Sequence, residues 1–192
     1  RVEKLEGSED RWVTPVVEGG EGAMFLQMGR NKLGLTLNPM KPEGREIVRK
    51  LVATSDVVIA NLPYEDLQKM GIDYESLSAI NPRIILATTS TFGSEGPYKT
   101  RVGFDTIGQA MSGAMHLSGD GDTPTRMNAP FVDFGTALLN TVGVLAALME
   151  RTKSGKGQKV ETALLRTAIN ITNGHLIEQA MLNRFMSTDK DY

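Results

Sequence analysis

The chain has 192 residues, 40% of them hydrophobic and 23% charged, the balance of a soluble globular domain, and its net charge of −2 offers no basic surface for nucleic acid or an anionic membrane. It contains no cysteine, which excludes disulfides, zinc–thiolate centres and a cysteine nucleophile. Its two histidines, His116 and His175, have no partners at metal-ligand spacing, and no Gly-x-Ser-x-Gly elbow is present. We therefore expect no metal, and, with no signal peptide and no apolar run read as a membrane span, a cytoplasmic protein with no membrane partner.

Taken in order, Arg1 to Glu6 reads as a strand entered partway through a fold, and residues 7–23, rich in Gly, Glu and Asp, read as loop anchored by Trp12. Residues 32–37 alternate as a strand does. Pro42 suits a first helical position, and Ile47, Val48, Leu51 and Val52 follow as one helical stripe. Residues 56–61 form a short, continuous apolar run of the kind found in a parallel strand covered on both faces. A short helix over 64–70 ends at Gly71, and Asp73 caps a further turn that stops at Asn81-Pro82. Residues 83–89 make another buried strand. This alternation predicts an α/β fold, a mostly parallel sheet flanked by helices, with ligands at the carboxyl ends of its strands.

A turn-rich loop over 93–98 precedes Gly103-Phe104-Asp105 and a helical segment over 106–115. The Gly119-Asp120-Gly121-Asp122 run lacks the ligand spacing of a calcium loop and reads as a turn. The stretch from Arg126 to Thr136 organises the chain. It closes a polar loop and opens the longest apolar helix, with Asp133 in the first turn. Apolar residues on nearly every face predict a helix buried all round, and a first-turn carboxylate favours its ionised form through the helix dipole and free N–H groups. Alone, such an Asp is better explained as a cap. The glycine- and lysine-rich residues 151–157 do not fit a phosphate loop and read as a helix-ending turn. A strand over 158–162 and a long helix over 164–185 complete the chain, which stops without closing anything and so reads as a fragment.

Together these segments resemble the family III CoA-transferases, the group that includes formyl-CoA:oxalate and carnitine CoA-transferases and the α-methylacyl-CoA racemases. The match is carried by Asn31-Lys32, Pro42-Glu43-Gly44-Arg45, the 56–61 run, Met70-Gly71, Asn81-Pro82-Arg83-Ile84-Ile85 and Phe92-Gly93 with Gly96-Pro97-Tyr98. It continues in Gly103-Phe104-Asp105 with Gln109-Ala110-Met111-Ser112-Gly113, in Val132-Asp133 with the 143–148 run, and in Gly155-Lys156-Gly157-Gln158. The resemblance covers almost the whole chain, which corresponds to about half of a family member. It implies a Rossmann-like domain over 1–163, incomplete at its N-terminus, and a helix over 164–192 leading towards a second half, within an interlocked homodimer.

The resemblance also implies roles. Asp133 matches the family nucleophile, which passes CoA from an acyl-CoA donor to a carboxylic acid acceptor through an aspartyl-CoA thioester, with CoA as co-substrate. Asp105 matches an acidic residue beside that nucleophile, and a helix cap explains it nearly as well. Asn61 and Lys69, the latter where the family usually has Arg, match residues lining the CoA site, and Leu37 matches one beside the adenine. The family's racemases carry His at the position of Phe104. Phenylalanine cannot exchange a proton, and His116 is offset along its helix, so a transferase is favoured over the racemase or epimerase alternative. From another class, a non-catalytic CoA-binding subunit or an inactive fragment is the competing reading.

Overall fold

The computed structural model describes residues 1–13, 16, 18, 20–120 and 123–182. They fall into two units, Arg1–Leu51 and the chain from Val52 onwards.

In the first unit, β1 (Val2–Glu3) and β2 (Leu35–Thr36) pair in parallel, so the two expected strands shrink to two residues each. Glu3 is buried and held by Arg11, whose Nη2 and Nε donate to its carboxylate at 2.7 and 3.0 Å. That pairing, helped by the Ser8 N–H, lowers the Glu3 pKa to about 2. The expected loop instead holds a 3₁₀ turn (Glu9–Trp12) and enters α1 (Ala23–Gly29), whose Phe25 ring stacks under the Arg11 guanidinium. Trp12 is not an anchor: it is 58% exposed. Helix α2 (Pro42–Thr54) begins on its proline as predicted.

The second unit carries the parallel sheet, in the order β3 (Val57–Ala60), β4 (Ile85–Ser90), β5 (Lys159–Ala163). Central β4 is buried through Ile85, Leu86 and Ala87, as its apolar run demands. Edge strand β3 departs from expectation. Ile59 is exposed because, among the described residues, this edge strand is not covered on both faces. Helix α3 (Tyr64–Met70) ends on Gly71 at φ 68°, a left-handed conformation suited to glycine. Helix α4 (Tyr74–Ile80) is capped by Asp73, which accepts from the Ser76 N–H at 3.0 Å and its hydroxyl at 2.7 Å. Gly157 lies against the backbone entering β4; a Cβ there would stand 1.8 Å from the Ile84 carbonyl oxygen.

The expected single helix over 106–115 breaks at Gly113, φ 81°, into α5 (Asp105–Met111) and α6 (Ala114–Leu117). Then α7 (Phe131–Ser154) packs on β4, β5 and α8 (Leu164–Leu182). Residues 183–185 of the expected final helix, and Gly121-Asp122 of the acidic turn, lie outside the described residues. Polar groups stitch α7 to the sheet. The Asn140 amide donates to the Thr88 carbonyl and to the hydroxyls of Thr89 and Thr162, at 2.9 to 3.2 Å.

Two expectations about α7 are corrected. It is not buried all round: Val132, Thr136, Asn140 and Ala147 face inward, whereas Leu138, Val142, Leu145 and Met149 form an exposed stripe. The sheet and α8 cover only one face. By length and composition alone α7 could also cross a membrane, contrary to the reading that no run does. Its inward face carries Asn140, bonded to the sheet, and Thr136, whose hydroxyl donates to that of Thr167 on α8 at 2.8 Å, so this face serves packing within the domain.

Candidate active site

The end of β4 leads through the 91–104 loop into α5, whose first residue is Asp105. Here α5 meets the start of α7 so closely that a Cβ on Gly108 would stand 2.8 Å from Val132 Cγ1. Glycine at this position lets the two helix starts touch, and their carboxylates come together as a result.

Asp105 is buried, and it does not cap its own helix. It caps α7. Its Oδ2 accepts from the backbone N–H of Val132 at 2.8 Å and of Asp133 at 3.1 Å, taking two of the unpaired donors a helix start presents. Its Oδ1 accepts from the Gln109 side-chain amide. Gln109, fully buried, also grips the loop before α7: its Nε2 donates to the Met127 carbonyl at 3.1 Å and its Oε1 accepts from the Met127 N–H at 2.9 Å. None of these three partners of Asp105 is named in reading the sequence. The signal for Gln109 was there, because residues four apart on a helix share a face.

Asp133 itself is exposed, in the first turn of α7, and among the described residues no donor reaches its carboxylate. Partial desolvation, reinforced by the negative charge of Asp105, raises its pKa. The shift is thus opposite to the one expected: the N–H groups nearest Asp133 are already bound to Asp105, whose charge repels it. The same two amides are unavailable to an oxyanion in this arrangement. What remains is an accessible, unpaired carboxylate whose proton affinity has been increased, a better nucleophile than a salt-bridged one.

The family profile described as CoA-transferase family III matches residues 1–191. The chain belongs to that family. A curated succinate–glutarate CoA-transferase of Agrobacterium fabrum is 38% identical over 173 residues, covering 86% of this chain and 43% of its own length. A formyl-CoA:oxalate CoA-transferase of Streptomyces coelicolor is 34% identical over 83% of this chain and 39% of its own. The crystal structure of a CaiB/BaiF family protein from Brucella suis superposes with a TM-score of 0.89 at 37% identity, over 95% of this chain and 50% of that one. This family III chain therefore spans less than half the length of these two curated relatives. The α/β fold with parallel strands flanked by helices is shared with that solved structure.

Asn61, Lys69 and Leu37 lie on elements other than α5 and α7. Asn61 follows the carboxyl end of β3 and is exposed. Lys69, on the last turn of α3, pairs with Asp66 at 3.0 Å, so binding a phosphate there competes with an existing ion pair. Leu37 belongs to the first unit, where its N–H donates to the Glu3 carbonyl at 2.9 Å. Phe104 is 81% exposed, directly before Asp105.

Proposed function

We propose that this chain is the nucleophile-bearing part of a CoA-transferase that moves CoA from an acyl-CoA donor to a carboxylic acid acceptor, with Asp133 as the covalent residue. The observation that carries this reading is the exposed Asp133 carboxylate, left without a donor while Asp105 caps the helix beneath it. Family membership supports it. So do the relatives' names, which describe CoA-transferases acting on dicarboxylic acids.

In this reading an Asp133 oxygen attacks the thioester carbonyl, the C–S bond breaks, and CoA leaves as thiolate. The mixed anhydride is then attacked by that thiolate at the Asp133 carbonyl, releasing the donor acid and leaving an aspartyl-CoA thioester. The acceptor carboxylate attacks this thioester and expels the thiolate, which takes the acyl group of the second anhydride and regenerates the Asp133 carboxylate. No proton has to move, and the thioester's free energy is kept throughout. A carboxylate of raised basicity suits the first step. Asp105 supports it from below as cap and neighbouring charge. Asn61, Lys69 and Leu37 are proposed to line the CoA path, Lys69 exchanging Asp66 for a phosphate as a point charge without arginine's bidentate fork. Phe104 supplies no base for a racemase.

The test is intact-mass spectrometry after incubation with a panel of acyl-CoAs, with hydroxylamine added to trap an activated carboxyl. A CoA-sized adduct or a hydroxamate at Asp133, absent from Asp133→Ala, is expected. CoA binding without an adduct overturns the reading in favour of a binding subunit. The exposed stripe on α7 supports a homodimer as the working assembly, and a strictly monomeric particle in light scattering counts against it.

A further inference from the structure

We infer that Gln109 is a positioning residue of this site: its carboxamide fixes the Asp105 carboxylate and the Met127 backbone together, and so sets the direction in which the first turn of α7 presents Asp133. The inference rests on Asp133 being the reacting residue.

The geometry leaves the amide only one orientation. Oε1 must face the Met127 N–H, because Nε2 is needed for both the Met127 carbonyl and Asp105 Oδ1. The two bonds to Met127 tie α5 to the loop before α7, the third holds Asp105 Oδ1 within α5, and Asp105 Oδ2 ties α5 to the N–H groups of Val132 and Asp133. The loop and the helix start are therefore gripped from one turn of α5. Gln109 is wholly buried, so no water stands ready to replace a lost bond. Neither an apolar residue nor a carboxylate serves. Leucine leaves Asp105 Oδ1 and both Met127 groups unpaired, and Gln109→Glu sets two carboxylates against each other with no donor between them. Gln109 does not itself touch Asp133. It acts through Asp105, where a small displacement of a reacting group already costs about 10²-fold in rate.

The experiment compares the parent protein with Gln109→Leu by two readouts. In ¹⁵N–¹H spectra, the Met127 amide is expected to move upfield and exchange faster, and the Val132 and Asp133 amides to follow although they do not touch Gln109. In acylation by the acyl-CoA that best labels the parent, kcat is expected to fall about 10²-fold while KM changes less than about twofold, the pattern of lost alignment rather than lost binding. Unchanged Val132 and Asp133 amides, or unchanged kcat in a protein whose Met127 amide has shifted, overturns the inference. If Gln109→Leu does not fold, Gln109→Glu is compared with Asp105→Asn/Gln109→Glu, which restores a donor facing an acceptor. Recovery of about tenfold or more in the double variant supports the clamp, and no recovery overturns it. A parent that never acylates removes the proposed function, and the amide shifts still decide the clamp.

Discussion

Removing the Asp105 side chain tests the capping arrangement through stability alone. Asp105→Ala deprives the Val132 and Asp133 amides of their acceptor at 2.8 and 3.1 Å and leaves the buried Gln109 amide with one bond fewer. Loss of a cap costs about 1–2 kcal/mol, and each hydrogen bond to a charged group contributes about 1.5–3 kcal/mol. These overlap, so about 3 kcal/mol is expected, a fall in Tm of roughly 6–12 °C for a chain of this size. One effect opposes the loss: without Asp105 its repulsion of Asp133 disappears. The cost of Asp105→Ala must therefore be larger in an Asp133→Asn background, where there is no repulsion left to relieve. Asp105→Asn, which retains an oxygen for the two amides, falls between. Thermal and urea unfolding of the four proteins in this cycle provide the numbers. A Tm within about 1 °C of the parent for Asp105→Ala, or a smaller loss in the Asp133→Asn background, refutes the reasoning.

Other perturbations have equally definite signs. The folded-state pKa of Asp133 lies above its unfolded value, so ionising it destabilises the fold, fully above the folded pKa and not at all below the unfolded one. Asp133→Asn should therefore be more stable than the parent at pH 7, with the gap closing towards pH 4 in urea unfolding; a less stable variant at pH 7 contradicts this. For Glu3 the sign is opposite. Its pKa of about 2 means that its contribution is present above about pH 4.5 and lost as pH falls through 2, and Arg11→Met should return its carbon-detected titration towards the ordinary value. Gly157→Ala would put a methyl 1.8 Å from the Ile84 carbonyl oxygen, and overpacking of about 1–3 kcal/mol or more should appear as a lowered urea midpoint.

Local signals were the ones that carried into the fold. Gly71, Asp73 and Pro42 stand where their backbone chemistry places them, and the apolar runs at β3 and β4 pair in parallel as their alternation with helices requires. What could not be read depends on neighbours distant in sequence. Apolar content alone made α7 look buried all round, because periodicity cannot say how many elements exist to cover a helix. Gly113 broke one expected helix into two through a positive φ that composition does not announce. At the site, Asp133 and Asp105 were both visible as candidates, but the capping of one helix by the first residue of another spans 27 residues of sequence and belongs to the packing of Gly108 against Val132. The ionisation of Asp133 was misjudged for the same reason, since the amides thought free were already taken.

That capping has a consequence for ligand design. A stable mimic of a tetrahedral adduct is usually given a negative oxygen to collect backbone amides. At the start of α7 such an oxygen would meet the Asp105 carboxylate already seated on the Val132 and Asp133 N–H groups, and would be repelled. Compounds aimed at Asp133 should instead carry a neutral electrophile or a hydrogen-bond donor towards this carboxylate pair.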